Sequence, residues 1–196
     1  MSTAQATRLR AALLDPHEAA RMEVAGSATA AVLAPLFERD GELHAVFTRR
    51  RAHLRLHAGQ ISFPGGHPEP GDVDLAQTAL REAHEEIGLD PSTVVLVGAL
   101  APTPTIVSDI AIYPLVGLIP SPQAPWSVAV DEVDAVIEES LQRLAATHRL
   151  QVFERRDGTR VTTDAYSAGE NTIWGATARI LTDLLVRLAA HPPAPS

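Results

Sequence analysis

Apolar residues fill two adjacent segments, SATAAVLAPLF (27–37) and LHAVFTR (43–49), in the short runs typical of strands, with the turn ERDGE between them. A connection that short predicts an antiparallel pair. QISF (60–63) reads as a third short strand, and Pro64, Gly65 and Gly66 mark a tight loop behind it. Two longer apolar runs follow, TVVLVGAL (93–100) and IAIYPLVGLI (110–119), parted by APTPTIVSD, a loop long enough to reach a site. LQVFERRDGTRVTTDAY is expected to be a hairpin turning at Asp157 and Gly158.

Elsewhere the apolar period lengthens. From Asp74 to Ile87, Leu75, Ala79, Leu80, Ala83 and Ile87 recur at helical intervals, Gly88 is the natural stop, and the glutamates lie mostly off the stripe. Leu9, Leu13 and Leu14, broken at Pro16, predict a short N-terminal helix and a connector. VDEVDAVIEESLQRLAA predicts a brief strand and then a helix. TIWGATARILTDLLVRLAA predicts a final amphipathic helix, with Trp174, Ile180, Leu181, Leu184, Leu185 and Leu188 facing inward. No repeat is visible. Helices covering a mixed sheet is the expected α/β architecture.

A chain of 196 residues builds one sizeable core rather than two full domains. The expected division is an N-terminal helix and connector over 1–26, a main domain over 27–190 and a disordered tail over 191–196. No apolar run approaches the roughly 20 residues of a membrane-spanning helix. The N-terminus lacks the apolar core of a secretion signal, so a cytoplasmic location with no membrane partner is expected. With no cysteine, disulfides, thiol catalysis and thiolate zinc sites are excluded. A net charge of −8 argues against a nucleic-acid partner. Every basic side chain other than histidine is Arg, and Arg49, Arg50, Arg51 and Arg55 cluster just ahead of the glutamate helix.

That helix poses the chemical question. Glu82, Glu85 and Glu86 stand at i, i+3 and i+4, so one face carries three repelling carboxylates. Plain hydration is the bland explanation of such a face. A hard divalent cation is the sharper one: Mg²⁺ takes a few carboxylates together with water and phosphate oxygens. Arg81 stands where a fork-shaped ion pair can hold a neighbouring carboxylate. His53 and His57 are four apart, but HLRLH lacks the glutamate of a zinc-protease helix. No nucleophile elbow and no Walker-type phosphate loop occurs.

GGHPEPGDVDLAQTALREAHEEIGL (65–89) resembles the Nudix box, the loop–helix–loop signature of enzymes that hydrolyse a nucleoside diphosphate linked to another group. The REAHEEIGL end matches throughout. The loop departs: Asp72 satisfies the family's count from the second glycine and Val73 its count back from the arginine, so one residue is extra. Bracing of Arg81 therefore falls to Asp72 or Asp74. Upstream, VFTRRRAHLRLHAGQISFPGG is similar to the additional signature of the coenzyme A pyrophosphatase branch through Thr48, Arg50, Arg55, Gly59, Phe63 and Pro64, with Arg51 where that branch usually has Ser or Ala. IWGATARIL also resembles that branch.

The resemblance implies a Nudix-type α/β/α sandwich with a mixed central sheet. It also implies Mg²⁺- or Mn²⁺-dependent hydrolysis of the pyrophosphate in coenzyme A or a derivative, giving 3′,5′-ADP and 4′-phosphopantetheine. Glu82 and Glu86 are then metal ligands, with Glu85 a third ligand or a group that helps deprotonate water. Arg81 orients the carboxylates. Gly65 and Gly66 admit backbone close to metal and phosphates, Gly66 offering a carbonyl, and Arg50 and Arg55 meet substrate phosphates. Other nucleoside diphosphate derivatives, such as ADP-ribose or a dinucleotide, stay open as substrates, as do a non-catalytic nucleotide-binding module and a homodimer.

Overall fold

A computed structural model describes residues 3–52, 59–105, 109–123, 125–154 and 158–193. Strands β1 (Ala28–Arg39) and β2 (Glu42–Arg50) form the expected antiparallel hairpin, with Leu36 opposite Ala45. Its reversal uses Asp40 and Gly41, both at positive φ. β3 (Ile61–Ser62) pairs with β2, and Gly65–Gly66, expected as plain loop, forms a two-residue strand β4 against β1. Helix α3 (Leu75–Ile87) follows. Next come β5 (Val95–Ala99), the short β6 (Thr103–Pro104), β7 (Ile110–Leu118) and β8 (Val133–Ser140).

β7 lies parallel to β1 from Ala28 opposite Ile110 to Leu36 opposite Leu118, while the other pairings are antiparallel. The central sheet is therefore mixed. Its main path runs β3-β2-β1-β7-β5, with β8 also on β2. Alternation sends neighbouring side chains to opposite faces. Ala34, Leu36, Ala45 and Phe47 enter one core, and Ala31, Leu33, Phe37 and Val46 the other. Helices α1 (Thr3–Ala12), α4 (Leu141–Ala146) and α5 (Gly175–Ala190) cover the first face, and α2 (Pro16–Ala20) and α3 the second. The α/β/α sandwich is present.

Several elements differ from the sequence reading. The N-terminal segment holds two helices, because Pro16 occupies the first turn of α2 and Asp15 caps it by accepting from His17 N and Glu18 N. Leu9 is fully buried in the first core. The brief strand at 133 runs to eight residues, and α4 keeps only six, because Ser140 caps its start. A second sheet joins β9 (Arg149–Glu154), β10 (Arg160–Ala168) and the unforeseen β11 (Asn171–Trp174). Trp174 therefore ends a strand instead of lining α5, and it stacks on Phe153 at 4.5 Å. Its aromatic, β-branched neighbourhood suits a strand better than a first helical turn. Among the described residues no helix is long and apolar enough to cross a membrane.

A carboxylate helix braced by one arginine

The loop after β4 enters α3 through Asp74, whose side chain accepts from Gln77 N at 2.8 Å, while the Gln77 side chain accepts from Val73 N at 2.8 Å. This reciprocal cap accounts for Asp74. At the other end Gly88 takes the left-handed conformation, φ 69°, that closes the helix. Both caps fix where the glutamates point.

Asp72 is the brace left undecided by the spacing. Arg81 donates from Nε to Asp72 Oδ1 and from Nη2 to Oδ2, each at 3.1 Å, in a two-pronged pair. Asp72 Oδ2 also accepts from Glu69 N and from the Thr78 hydroxyl, both at 2.9 Å. The Arg81 hydrogen bond, foremost, holds the Asp72 carboxyl down at about 2, and Asp72 in turn raises the guanidinium. From the same guanidinium, Nη1 reaches Glu82 Oε1 at 3.1 Å and Glu85 Oε2 at 3.0 Å, and Nη2 reaches His67 O at 3.0 Å. One arginine thus ties loop to helix.

The three glutamates are not equivalent. Glu85 is exposed and paired with Arg81, whereas Glu86 is buried, contrary to a face lying off the apolar stripe. Burial, the largest cause, raises the Glu86 carboxyl to about 8; the charges of Glu82 and Glu132 push the same way, and Arg50 and the Gly65 N–H pull back. Burial likewise raises Glu82 against the pull of Arg81. Glu86 Oε2 is buried and makes no hydrogen bond. A carboxylate oxygen left so is expensive unless a cation or proton meets it.

Glycines make the space. A Cβ on Gly66 would run into the Glu82 carboxylate, and one on Gly65 would overlap Val32 of β1. Arg50, at the end of β2, is half-buried, its Nε makes no hydrogen bond, and its charge acts on Glu86. It therefore lies with the carboxylates. Arg55, His53 and His57 fall outside the described residues. His84 is exposed, its ring meeting Leu89 O at 3.1 Å.

Glu132 was not singled out by the sequence. It sits just before β8, is exposed, and its charge raises both Glu82 and Glu86. Nothing in local spacing ties a residue so far along the chain to α3; the Ala129 N to Glu86 O hydrogen bond does, with β8 paired to the Arg50 end of β2. Among the described residues no group of three acidic or histidine side chains is already gathered to hold a cation, since Arg81 draws Glu82 and Glu85 to itself. The donor set nevertheless fits a hard divalent ion. It offers an unpartnered buried carboxylate oxygen, a second partly buried carboxylate, and a glycine that leaves room beside it.

Residues 27–156 match the NUDIX domain family. The chain is 39% identical over 166 residues to proteins of Salmonella paratyphi B and Salmonella newport, each described as an uncharacterized Nudix hydrolase NudL, covering 83% of this chain and 84% of theirs. In fold it is similar to a MutT/nudix family protein from Enterococcus faecalis, with a TM-score of 0.54 at 14% identity, covering 89% of this chain and 66% of that one. Together with the braced carboxylate helix, these matches establish that the chain belongs to the Nudix hydrolase family, pyrophosphohydrolases that cleave phosphoanhydride bonds in nucleoside diphosphate derivatives.

Proposed function

We propose that this hydrolase cleaves the pyrophosphate of coenzyme A or a close derivative, giving 3′,5′-ADP and 4′-phosphopantetheine or its acyl form, with Mg²⁺ or Mn²⁺. The observation that carries the metal-dependent chemistry is the buried, unpartnered Glu86 Oε2 beside Glu82. Glu82 and Glu86 would hold the cation, with Glu85 and Glu132 at the open side. A divalent ion there offsets phosphate charge and makes water a better nucleophile near neutral pH. Arg81 keeps the carboxylates aimed while Gly66 leaves room for Glu82. Glu85 and Glu132, both exposed, are the groups available to take the proton of an attacking water.

The substrate choice rests on the stretch from Thr48 to Pro64. Thr48 is buried with its hydroxyl 3.2 Å from Ser62 Oγ, Phe63 stacks on Phe47 at 4.7 Å, and Pro64 O accepts from Leu33 N at 2.9 Å. These contacts anchor both ends of the arginine-bearing segment, and Arg50 near its start acts on Glu86. The deciding experiment incubates the purified protein and Mg²⁺ with coenzyme A, dephospho-coenzyme A, ADP-ribose and a dinucleoside polyphosphate, and identifies products by mass. Cleavage of ADP-ribose or the dinucleotide alone overturns the coenzyme A assignment. No metal-dependent cleavage of any of them overturns hydrolysis itself in favour of a binding module.

Two expectations attach to this reading. Millimolar Mg²⁺ or Mn²⁺ should raise the melting temperature, since an ion bound only by the native state adds RT ln(1 + [L]/Kd), about 2.7 kcal/mol at a hundredfold excess over Kd. Glu82→Gln should shrink that gain, and an unchanged gain would remove Glu82 from the site. Arg50→Ala should lower kcat/KM for coenzyme A and dephospho-coenzyme A by similar factors, about one to two decades, because its charge acts at Glu86, where the pyrophosphate must lie. A loss confined to coenzyme A would instead assign Arg50 to the 3′-phosphate, the role otherwise left to Arg55.

A further inference from the structure

Between β7 and β8 the chain runs across the end of α3 as a strap, IPSPQAPWSVAVDE (119–132), whose described residues are neither helix nor strand. Among the described residues its backbone-to-backbone hydrogen bonds fall near its ends. Ile119 N donates to Leu36 O at 2.8 Å, Ala129 N donates to Glu86 O at 2.9 Å, and Glu132 N and Val133 N both return to Ala129 O. Pro120, Pro122 and Pro125 have no N–H to contribute. Trp126, the aromatic residue of this span, packs on the second core and donates from Nε1 to Glu138 Oε1 at 2.8 Å. Glu138 Oε2 is in turn paired with Arg39 at 2.8 Å, and the Arg39 guanidinium lies 4.8 Å from the centre of the Phe37 ring.

We propose that Trp126, held through Glu138 and Arg39, is a positioning residue that pins this strap and thereby keeps Glu132 at the carboxylate site. The proposal rests on the reading of Glu82 and Glu86 as cation ligands. The strap is stitched to the same turn of α3 that carries the buried carboxylate, through Ala129 N on Glu86 O. Ser127 lies against Gly88, where a Cβ would fall 2.8 Å from the Ser127 Cβ. Three residues beyond Ala129 the chain delivers Glu132, whose carbonyl also accepts from Arg51 N at 2.9 Å, so the strap and the end of β2 together set the place of that carboxylate. Glu138 stands on β8 opposite Val46 of β2, within the hydrogen-bonded β2–β8 ladder. An indole N–H given to a charged acceptor is directional in a way that packing alone is not.

The test is a cycle of Trp126→Phe, which keeps an aromatic ring and removes the donor, against Glu132→Gln. The readouts are the Mn²⁺ dissociation constant from the resonance of free Mn²⁺, the kcat and KM values, and the melting temperature. Loss of a residue supporting a metal site costs about tenfold or more in affinity, so Trp126→Phe should raise the dissociation constant by roughly tenfold. It should lower kcat more than it changes KM, and should add no further loss in the Glu132→Gln background. Glu138→Gln should reproduce the effect in part, and it replaces Trp126→Phe in the cycle if that variant does not fold. Unchanged Mn²⁺ affinity in Trp126→Phe, or the same factor with and without Glu132, overturns the positioning role and returns Trp126 to packing. Wild-type protein that binds no Mn²⁺ overturns the cation reading itself, and the proposal with it.

Discussion

Glu86→Gln is expected to lose on the order of 10²-fold or more in kcat/KM and, when stripped of metal, to be more stable than the wild type. Both effects come from one buried charge. The carboxyl is raised to about 8 in the native chain, chiefly by burial, against an ordinary value near 4.5. Across the interval between those values the folded protein holds a proton that the unfolded chain has released, so stability falls as pH rises. The glutamine shape carries no charge to desolvate and should flatten that slope. By pH 8 the difference amounts to a few kcal/mol as an order of magnitude. Denaturant unfolding in EDTA at pH 5 and pH 8, with turnover in Mg²⁺, measures both. A variant with near-normal turnover would remove Glu86 from the metal site, and an undiminished pH slope would remove the buried charge as its cause.

Much of this arrangement is written in local spacing, because the helical period and its two caps are local. Leu75, Ala79, Ala83 and Ile87 predict α3, and Gly88 ends it as expected. The Arg81 and Glu85 spacing alone predicts their contact. What spacing does not decide is depth: Glu86 is only one residue beyond Glu85, yet one is buried and the other exposed, because β1, the glycine strand β4 and the strap close over one edge of the helix. Asp72 and Asp74 looked interchangeable by count. They separate once the helix start is fixed, since the residue at the cap is spent on Gln77 N and the one two positions earlier is free to face Arg81. Glu132 and Trp126 were beyond reach for a different reason. Their neighbours, Glu86 and Glu138, are set by sheet pairing and by a proline-rich crossing with no periodic signal. The same lack of period hid β11, where a four-residue strand merges into the start of α5.

Arg81→Lys should be nearly as damaging as loss of a ligand, although the charge is conserved. The guanidinium satisfies Asp72 with two prongs and Glu82, Glu85 and His67 O with its remaining donors, all within 3.0–3.1 Å, and its side chain is only 20% exposed. An ammonium is a point donor that cannot span that set. Several charge-assisted bonds lost in a partly buried place should cost roughly 2–4 kcal/mol of stability, a fall of roughly 5–15 °C in melting temperature for a chain of this size. The acid limb carries a sharper signature. Asp72 is held at about 2 mainly by Arg81, so its stabilising contribution is complete above the ordinary carboxyl value and vanishes only as pH falls toward 2. In Arg81→Lys that contribution should be smaller and its loss complete at higher pH. With Glu82 and Glu85 released from their common partner, Mn²⁺ affinity and kcat should each drop about 10–100-fold, the range for groups that orient metal ligands. Acid unfolding midpoints and Mn²⁺ titration of the variant, alongside turnover, check the three effects separately. A lysine variant with the wild-type acid limb and wild-type Mn²⁺ affinity would show that the loop and the carboxylates hold their places without the fork.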